Sequence, residues 1–370
     1  MERDIREPEA ILLLERLEDL AYSGRFLFGQ QNAGHIGITI TAKDGTQSDI
    51  RNLTGRHPGI VGIDTLSLTG YEGNREELVK TVKNLNRQGV VITLSSHMPN
   101  FSLGGDNFFD YSPNITDGNV GARIMPGGDL NPKYRRFLDM IADFAGECVD
   151  LSGNRIPMIF RPFHEDSGSW FWWGEGHLSS ADYVDLFRYT IDYLRDERGI
   201  RNFLYAYSPN GMIDSPETFM RKYPGDNYVD IMGMDVYNDK PKKGDKFFEN
   251  TIRSMRNIAA CAMDHGKICA LTEIGLRTLD SAKDGYYEGL APEGNRVKDW
   301  YTTLLKYLKE GGSDLMCAYV LTWSNFSDTQ FWVPYRTKDF VHEMCDDFIS
   351  FANDPDIVMA PKIDSSDSLT

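Results

Sequence analysis

Residues 161–174 read Arg-Pro-Phe-His-Glu-Asp-Ser-Gly-Ser-Trp-Phe-Trp-Trp-Gly. They set a guanidinium, an imidazole and a carboxyl ahead of three of the chain's six tryptophans. Such a set suits chemistry on a carbohydrate. A carboxylic acid works on the glycosidic oxygen, donors fix hydroxyls, and flat apolar rings cover sugar faces. The plain alternative is an aromatic corner that packs a strand onto the next helix, and it fits Phe171 and Trp172 best. A second carboxylate strengthens the chemical reading. The run Ile268-Cys269-Ala270-Leu271-Thr272-Glu273-Ile274-Gly275 is apolar and ends in Glu273 and a glycine turn. Two carboxyls about 5–5.5 Å apart fit double displacement at an anomeric carbon, one as nucleophile and one as acid/base. Glu273 alone has a bland reading too, as a helix-capping residue at a loop start.

These groups need a scaffold that brings distant segments together. After an amphipathic opening helix (about Pro8–Tyr22), apolar or β-branched runs alternate with polar, helically periodic segments. The strands expected are Phe26–Gly29, Ile60–Asp64, Val90–Ser95, Met158–Phe163, Phe203–Ser208, Val229–Asp235, Ile268–Thr272 and Ala318–Trp323. The helices expected between them are Arg75–Gln88, Pro132–Val149, Ala181–Arg198, Phe247–Asp264 and Arg296–Gly311, with Lys338–Ala352 after the last strand. This alternation predicts a parallel sheet covered by helices, and eight strands predict an α/β fold of the (β/α)8 TIM-barrel type in a single domain. No Gly-x-Gly-x-x-Gly follows the first strand and no phosphate loop is present, which counts against a dinucleotide-binding sheet. The expected organisation is a helical lead-in over 1–25, the barrel over 26–353, and a partly disordered tail over 354–370. Residues 35–59 carry no convincing helical stripe, and 99–131 and 276–295 read as long active-site loops.

In such a barrel the C-terminal ends of the strands face the active-site mouth. The polar residues there are Asp64, His97, Arg161, His164, Glu165, Asn210, Asp235, Tyr237, Glu273, Trp323 and Asn325. Glu165 and Glu273 fall on the fourth and seventh strands, on opposite sides of the barrel, and their side chains can converge over its centre. His97, His164 and Asp235 form a conceivable metal set, but His-x-His and His-x-x-x-His spacings are absent, so no metal is expected. His35, His57, His177, His265 and His342 read as loop or helix-surface residues. The five cysteines show no zinc-like spacing. They are expected as mostly buried thiols, with a Cys269–Cys317 disulfide left open.

Composition bounds the rest. A net charge of −16 disfavours nucleic acid and anionic membrane surfaces. All the apolar segments have strand or helix length, none enough for a membrane span. Met1–Pro8 is mostly charged, so no secretory h-region opens the sequence.

The run Arg161-Pro162-Phe163-His164-Glu165, followed by Gly168-Ser169-Trp170-Phe171-Trp172-Trp173-Gly174, closely resembles the signature of glycoside hydrolase family 26, chiefly bacterial β-mannanases. Other stations match in order. His97 in Leu-Ser-Ser-His-Met-Pro-Asn looks like the family's strand-three histidine, although Ser96 stands where a tryptophan is common. Tyr237 looks like the strand-six tyrosine, Glu273 like the nucleophile and Trp323 like the strand-eight tryptophan. The resemblance covers about Phe26 to Phe351. It implies a retaining endo-β-1,4-mannanase without a cofactor, acting on mannan, glucomannan or galactomannan, with Glu165 as general acid/base and Glu273 as nucleophile. It also implies that Arg161 and Tyr237 bond Glu273, that His97 and His164 bond sugar hydroxyls, and that Trp323 forms the platform. Trp170 would border the leaving side, with Asp235 and Phe101 or Phe326 as walls. Low polarity near Trp170 and the charge of Glu273 should raise the Glu165 pKa. The expected partner is β-mannan or manno-oligosaccharide, with a monomeric enzyme that is secreted, periplasmic or cell-surface. The competing readings are a same-family hydrolase of mixed-linkage glucan or β-1,3-xylan, and a sugar-binding barrel without catalysis. Retention of both glutamates argues against the latter.

Overall fold

The eight apolar runs form strands β1 (Phe26–Gln31), β2 (Ile60–Asp64), β3 (Val91–Ser96), β4 (Met158–Pro162), β5 (Phe203–Tyr207), β6 (Ile231–Asp239), β7 (Ile268–Arg277) and β8 (Cys317–Thr322). The computed structural model describes residues 5–105, 108, 112–278, 281–282, 285–286 and 288–362. Each strand pairs in parallel with the next, and β8 closes onto β1 with Leu27 opposite Tyr319. The molecule is a (β/α)8 barrel.

Period-two alternation divides the strand residues between two cores. Leu27, Ile60, Val91, Ile159, Leu204, Ile231, Ile268 and Ala318 point inward, one from each strand, and pack against Leu13, Leu17 and Leu20 of the helix Pro8–Ser23. That helix plugs the barrel base. It starts with Pro8 in its first turn and stops at Gly24, whose φ of 71° makes a left-handed C-cap. The outward strand residues, Ile92, Phe160 and Leu271 among them, join the apolar faces of the surrounding helices.

Several expectations on element bounds are corrected. A six-residue helix, Asp49–Thr54, lies in the first crossover; it is too short to show an apolar stripe. The helix expected from Arg296 begins at Trp300, because Asp347 of the last helix accepts from the backbone N–H groups of Tyr301 and Thr302 and caps it there. The helix expected from Lys338 begins at Cys345. Before it, Met344 N–H donates to His342 Nδ1 and closes a turn. The α-helix Ser180–Asp192 passes into a π-helical turn, Tyr193–Glu197. Beyond Asp354, Ile357–Val358 pairs in parallel with β1 and Met359 and Ala360 are buried, so this part of the expected tail is packed. Residues 363–370 lie outside those described. Cys269 sits opposite Cys317 on neighbouring strands, and all five cysteines are free and buried.

Candidate active site

Strict alternation along β7 would turn Glu273 outward, since Ile268 and Ala270 face the barrel interior. A bulge prevents this. Met234 of β6 pairs with Leu271 but Asp235 pairs with Glu273, leaving Thr272 as the extra residue. The bulge re-phases the strand and puts both Thr272 and Glu273 on the inner side. Thr272 Oγ1 donates to Asp235 Oδ1 at 2.6 Å. Glu273 receives Arg161 Nη2 on one carboxylate oxygen and Tyr237 Oη, at 2.7 Å, on the other.

Glu165 lies just past β4 in a turn with unusual backbone. Phe163 and Glu165 both have positive φ, 51° and 56°, a region that side-chain-bearing residues enter only when surrounding structure imposes it. Glu165 N–H donates to Ser208 O at the end of β5 (2.8 Å). Trp170 Nε1 donates to Glu165 Oε2 at 2.9 Å. Its indole lies over Gly168, where a Cβ would run into the ring. Burial, joined by the charge of Glu273, pushes the Glu165 carboxyl up to about 7, against the Trp170 hydrogen bond.

Asp64, at the end of β2, organises the histidines. It accepts from Ser95 Oγ at 2.6 Å and from His97 Nδ1 at 2.8 Å. His97 Nε2 lies 3.3 Å from His164 Nε2. Burial would lower the His97 pKa, but Asp64 outweighs it and raises it. For His164, burial followed by the Arg161 and His97 charges holds the ring well below its ordinary value. The network therefore assigns His97 as donor at both nitrogens and His164 as the neutral acceptor.

Of the expected site residues, Glu165, Glu273, His97, Tyr237, Trp170 and Trp323 converge on the barrel mouth. Trp323 is half-buried with its ring 5.7 Å from His97, and Trp170 is exposed. Others sit underneath. Arg161 and Asp235 are each 1% exposed and bonded to one another at 2.7 Å, so they support Glu273 rather than line the cleft, and Asp235 is no wall residue. His164, also 1% exposed, stands behind His97. Phe101, Trp172 and Trp173 are core residues. Trp172 Nε1 donates to Pro99 O, and Trp173 Nε1 donates to His164 O. Asn325 is consumed in joining Gln30, Asp49 and the backbone of Trp332 and Val333. His35, His57 and His342, read as loop or helix-surface residues, lie in loops but are buried; burial brings His35 and His57 down to about 4.

The metal set considered from sequence does not assemble, because the His97 nitrogens are committed to Asp64 and His164. Oxygen atoms of Glu165, Asp235 and Glu273 do come within 4.8 Å of one another. Arg161 already bonds two of these carboxylates, so a cation there would face a guanidinium. Glu165 and Glu273 oxygens this close also suit two carboxyls working on one substrate atom.

The chain is similar to known proteins in sequence and in fold. The catalytic domain of a Bacillus sp. JAMB-750 GH26 endo-β-1,4-mannanase superposes with a TM-score of 0.88 at 37% identity, covering 97% of this chain and 93% of that one. A modular endo-β-1,4-mannanase from Cellulomonas fimi gives 0.84 at 32% identity over 97% of this chain and 77% of that one. A mannan endo-1,4-β-mannosidase of Bifidobacterium adolescentis is 33% identical over 331 residues, 86% of this chain. The chain spans 31% of that protein's length. The profile of glycosyl hydrolase family 26 matches residues 8–310, and the chain belongs to that family.

Proposed function

We propose that this chain is a retaining, endo-acting β-1,4-mannanase that hydrolyses mannan, glucomannan or galactomannan. The observation that carries the reading is the Glu165–Glu273 pair, with oxygens within 4.8 Å and opposite environments. Glu165 is half-buried beside an indole and holds its proton to about 7. Glu273 is met by a guanidinium and a phenol. The relatives named above, each called a mannanase or mannosidase, support the substrate class.

In the first step Glu273 attacks the anomeric carbon while Glu165 gives its proton to the departing glycosidic oxygen. The carbon–oxygen bond to the leaving sugar breaks and a glycosyl ester on Glu273 forms. Glu165, now a carboxylate, takes a proton from water, whose oxygen attacks the same carbon and releases Glu273. Trp323 provides the platform under the reacting sugar, with the His97 ring beside it and Trp170 bordering the leaving side. Arg161 and Asp235 fix Glu273 from below. No described helix is long and apolar enough to cross a membrane. A polymeric substrate places the working enzyme outside the cytoplasm, in secreted, periplasmic or surface-bound form.

Product profiling on linear mannan, galactomannan and barley β-glucan tests the assignment. Manno-oligosaccharides of several lengths, with barley glucan left intact, are expected. Preferential cleavage of the glucan would replace mannan as the substrate.

A further inference from the structure

Four consecutive carbonyls of the turn that carries Glu165 each accept a hydrogen bond. Tyr183 Oη donates to Phe163 O at 2.9 Å, Trp173 Nε1 to His164 O at 2.8 Å, and Lys222 Nζ to Asp166 O at 2.8 Å. Gly168 N donates to Glu165 O at 2.9 Å. The turn is thus fixed peptide by peptide, as its two positive φ values demand.

Lys222 differs from the other donors. It carries a charge, and it reaches the turn from a separate segment, beyond the short helix Pro216–Met220 that follows β5. It is 2% exposed. An ammonium that deep is costly unless paired, and its partners all belong to the Glu165 loop or its support. Nζ lies 3.4 Å from Asp166 Oδ2 and 3.3 Å from Glu175 Oε2, and 5.3 Å from the Tyr183 ring centroid. Glu175 N–H in turn donates to Gly168 O at 2.7 Å, so Lys222 clamps both ends of the loop that holds Trp170 against Glu165.

We propose that Lys222 is a positioning residue for the acid/base carboxyl: by binding the carbonyl and carboxylate of Asp166, it holds Glu165 where it can protonate the leaving oxygen. The inference rests on the reading of Glu165 as general acid/base. A lysine that merely staples the fold would affect every substrate alike. A positioning lysine would act where proton donation limits the rate.

Lys222→Met, Lys222→Arg and the double change Lys222→Met/Asp166→Asn, which avoids stranding a buried carboxylate, are compared on two substrates. Mannotetraose has a poor leaving group that needs protonation. A 2,4-dinitrophenyl β-mannobioside has one that departs unaided. For Lys222→Met and the double variant, kcat/KM on mannotetraose is expected to fall on the order of 10- to 100-fold, while on the aryl substrate it stays within about threefold. Lys222→Arg should recover part of the loss. Equal losses on both substrates, or no loss on either, would overturn the proposal. Should the methionine variants fail to fold, the same split measured on Lys222→Arg decides. Glu165→Gln run in parallel separates the two readings. Absence of a leaving-group split in Glu165→Gln refutes the acid/base assignment itself, whereas a split there without one in the Lys222 variants refutes only the role of Lys222.

Discussion

Arg161 and Glu273 form an ion pair at the floor of the site, with side chains 1% and 5% exposed. The same guanidinium bonds Asp235 at 2.7 Å through its other terminal nitrogen, so one cation joins two carboxylates on adjacent strands. Such a fork fixes orientation as well as charge. Removing it would leave two buried carboxyls without their shared cation.

Arg161→Met is therefore expected to lower kcat about 100-fold or more and to cost about 3–5 kcal/mol of stability. Arg161→Lys, which keeps the charge but loses the planar fork, should fall between the two. Urea unfolding measured beside kinetics checks both effects. Wild-type stability in Arg161→Met would show that the pair does not hold the floor.

The alkaline limb of the pH profile should follow Glu165. With its carboxyl held up to about 7, kcat/KM on mannan should decline as pH rises above about 7. The same shift acts on stability. A glutamate with an ordinary value of 4.5 that titrates near 7 when folded binds more protons in the native state between those values. Its contribution to stability therefore declines as pH rises through that window. Glu165→Gln removes this penalty. The variant should be inactive on mannan yet more stable than the parent at pH 8, by on the order of 1 kcal/mol or more, with the difference gone by pH 4. Melting temperatures at the two pH values measure it.

Trp323 separates platform from core. Its half-buried ring next to His97 predicts that Trp323→Ala lowers kcat/KM on the order of 100-fold while thermal stability changes modestly. A core tryptophan would instead cost about 3–5 kcal/mol. A large drop in melting temperature with near-normal activity per folded molecule would move Trp323 out of the site.

The barrel was legible because each inner strand is a short apolar run, and those runs survive as residues such as Ile159 and Ile268 in the inner core. The ends were less so. β6 and β7 continue to Asp239 and Arg277, whose side chains pair with each other, and such polar extensions read as loop. Type and spacing single out Glu165 and Glu273, and the structure brings their carboxyls together, but the bulge at Thr272 that turns Glu273 inward leaves no mark in composition. In the tryptophan cluster the packing reading holds for Trp172, and Trp173 joins it in the core, while Trp170 is exposed; aromatic content alone does not separate the three. Asp64 was visible as a polar strand end, but its hold on His97 depends on register between β2 and β3, where Asp64 stands opposite Ser95. Lys222 carried no signal. A lysine in a polar segment reads as solvated, and only the fold shows it buried beneath the Glu165 turn.

The central claim, that Glu165 and Glu273 act as acid/base and nucleophile in double displacement, is tested most directly by the configuration of the first product. Proton NMR of mannotetraose hydrolysis, recorded before mutarotation, should show the β-anomer appearing first, as two successive displacements at one carbon require. Initial release of the α-anomer would mean a single displacement by water, with Glu273 as a base, and would contradict the account.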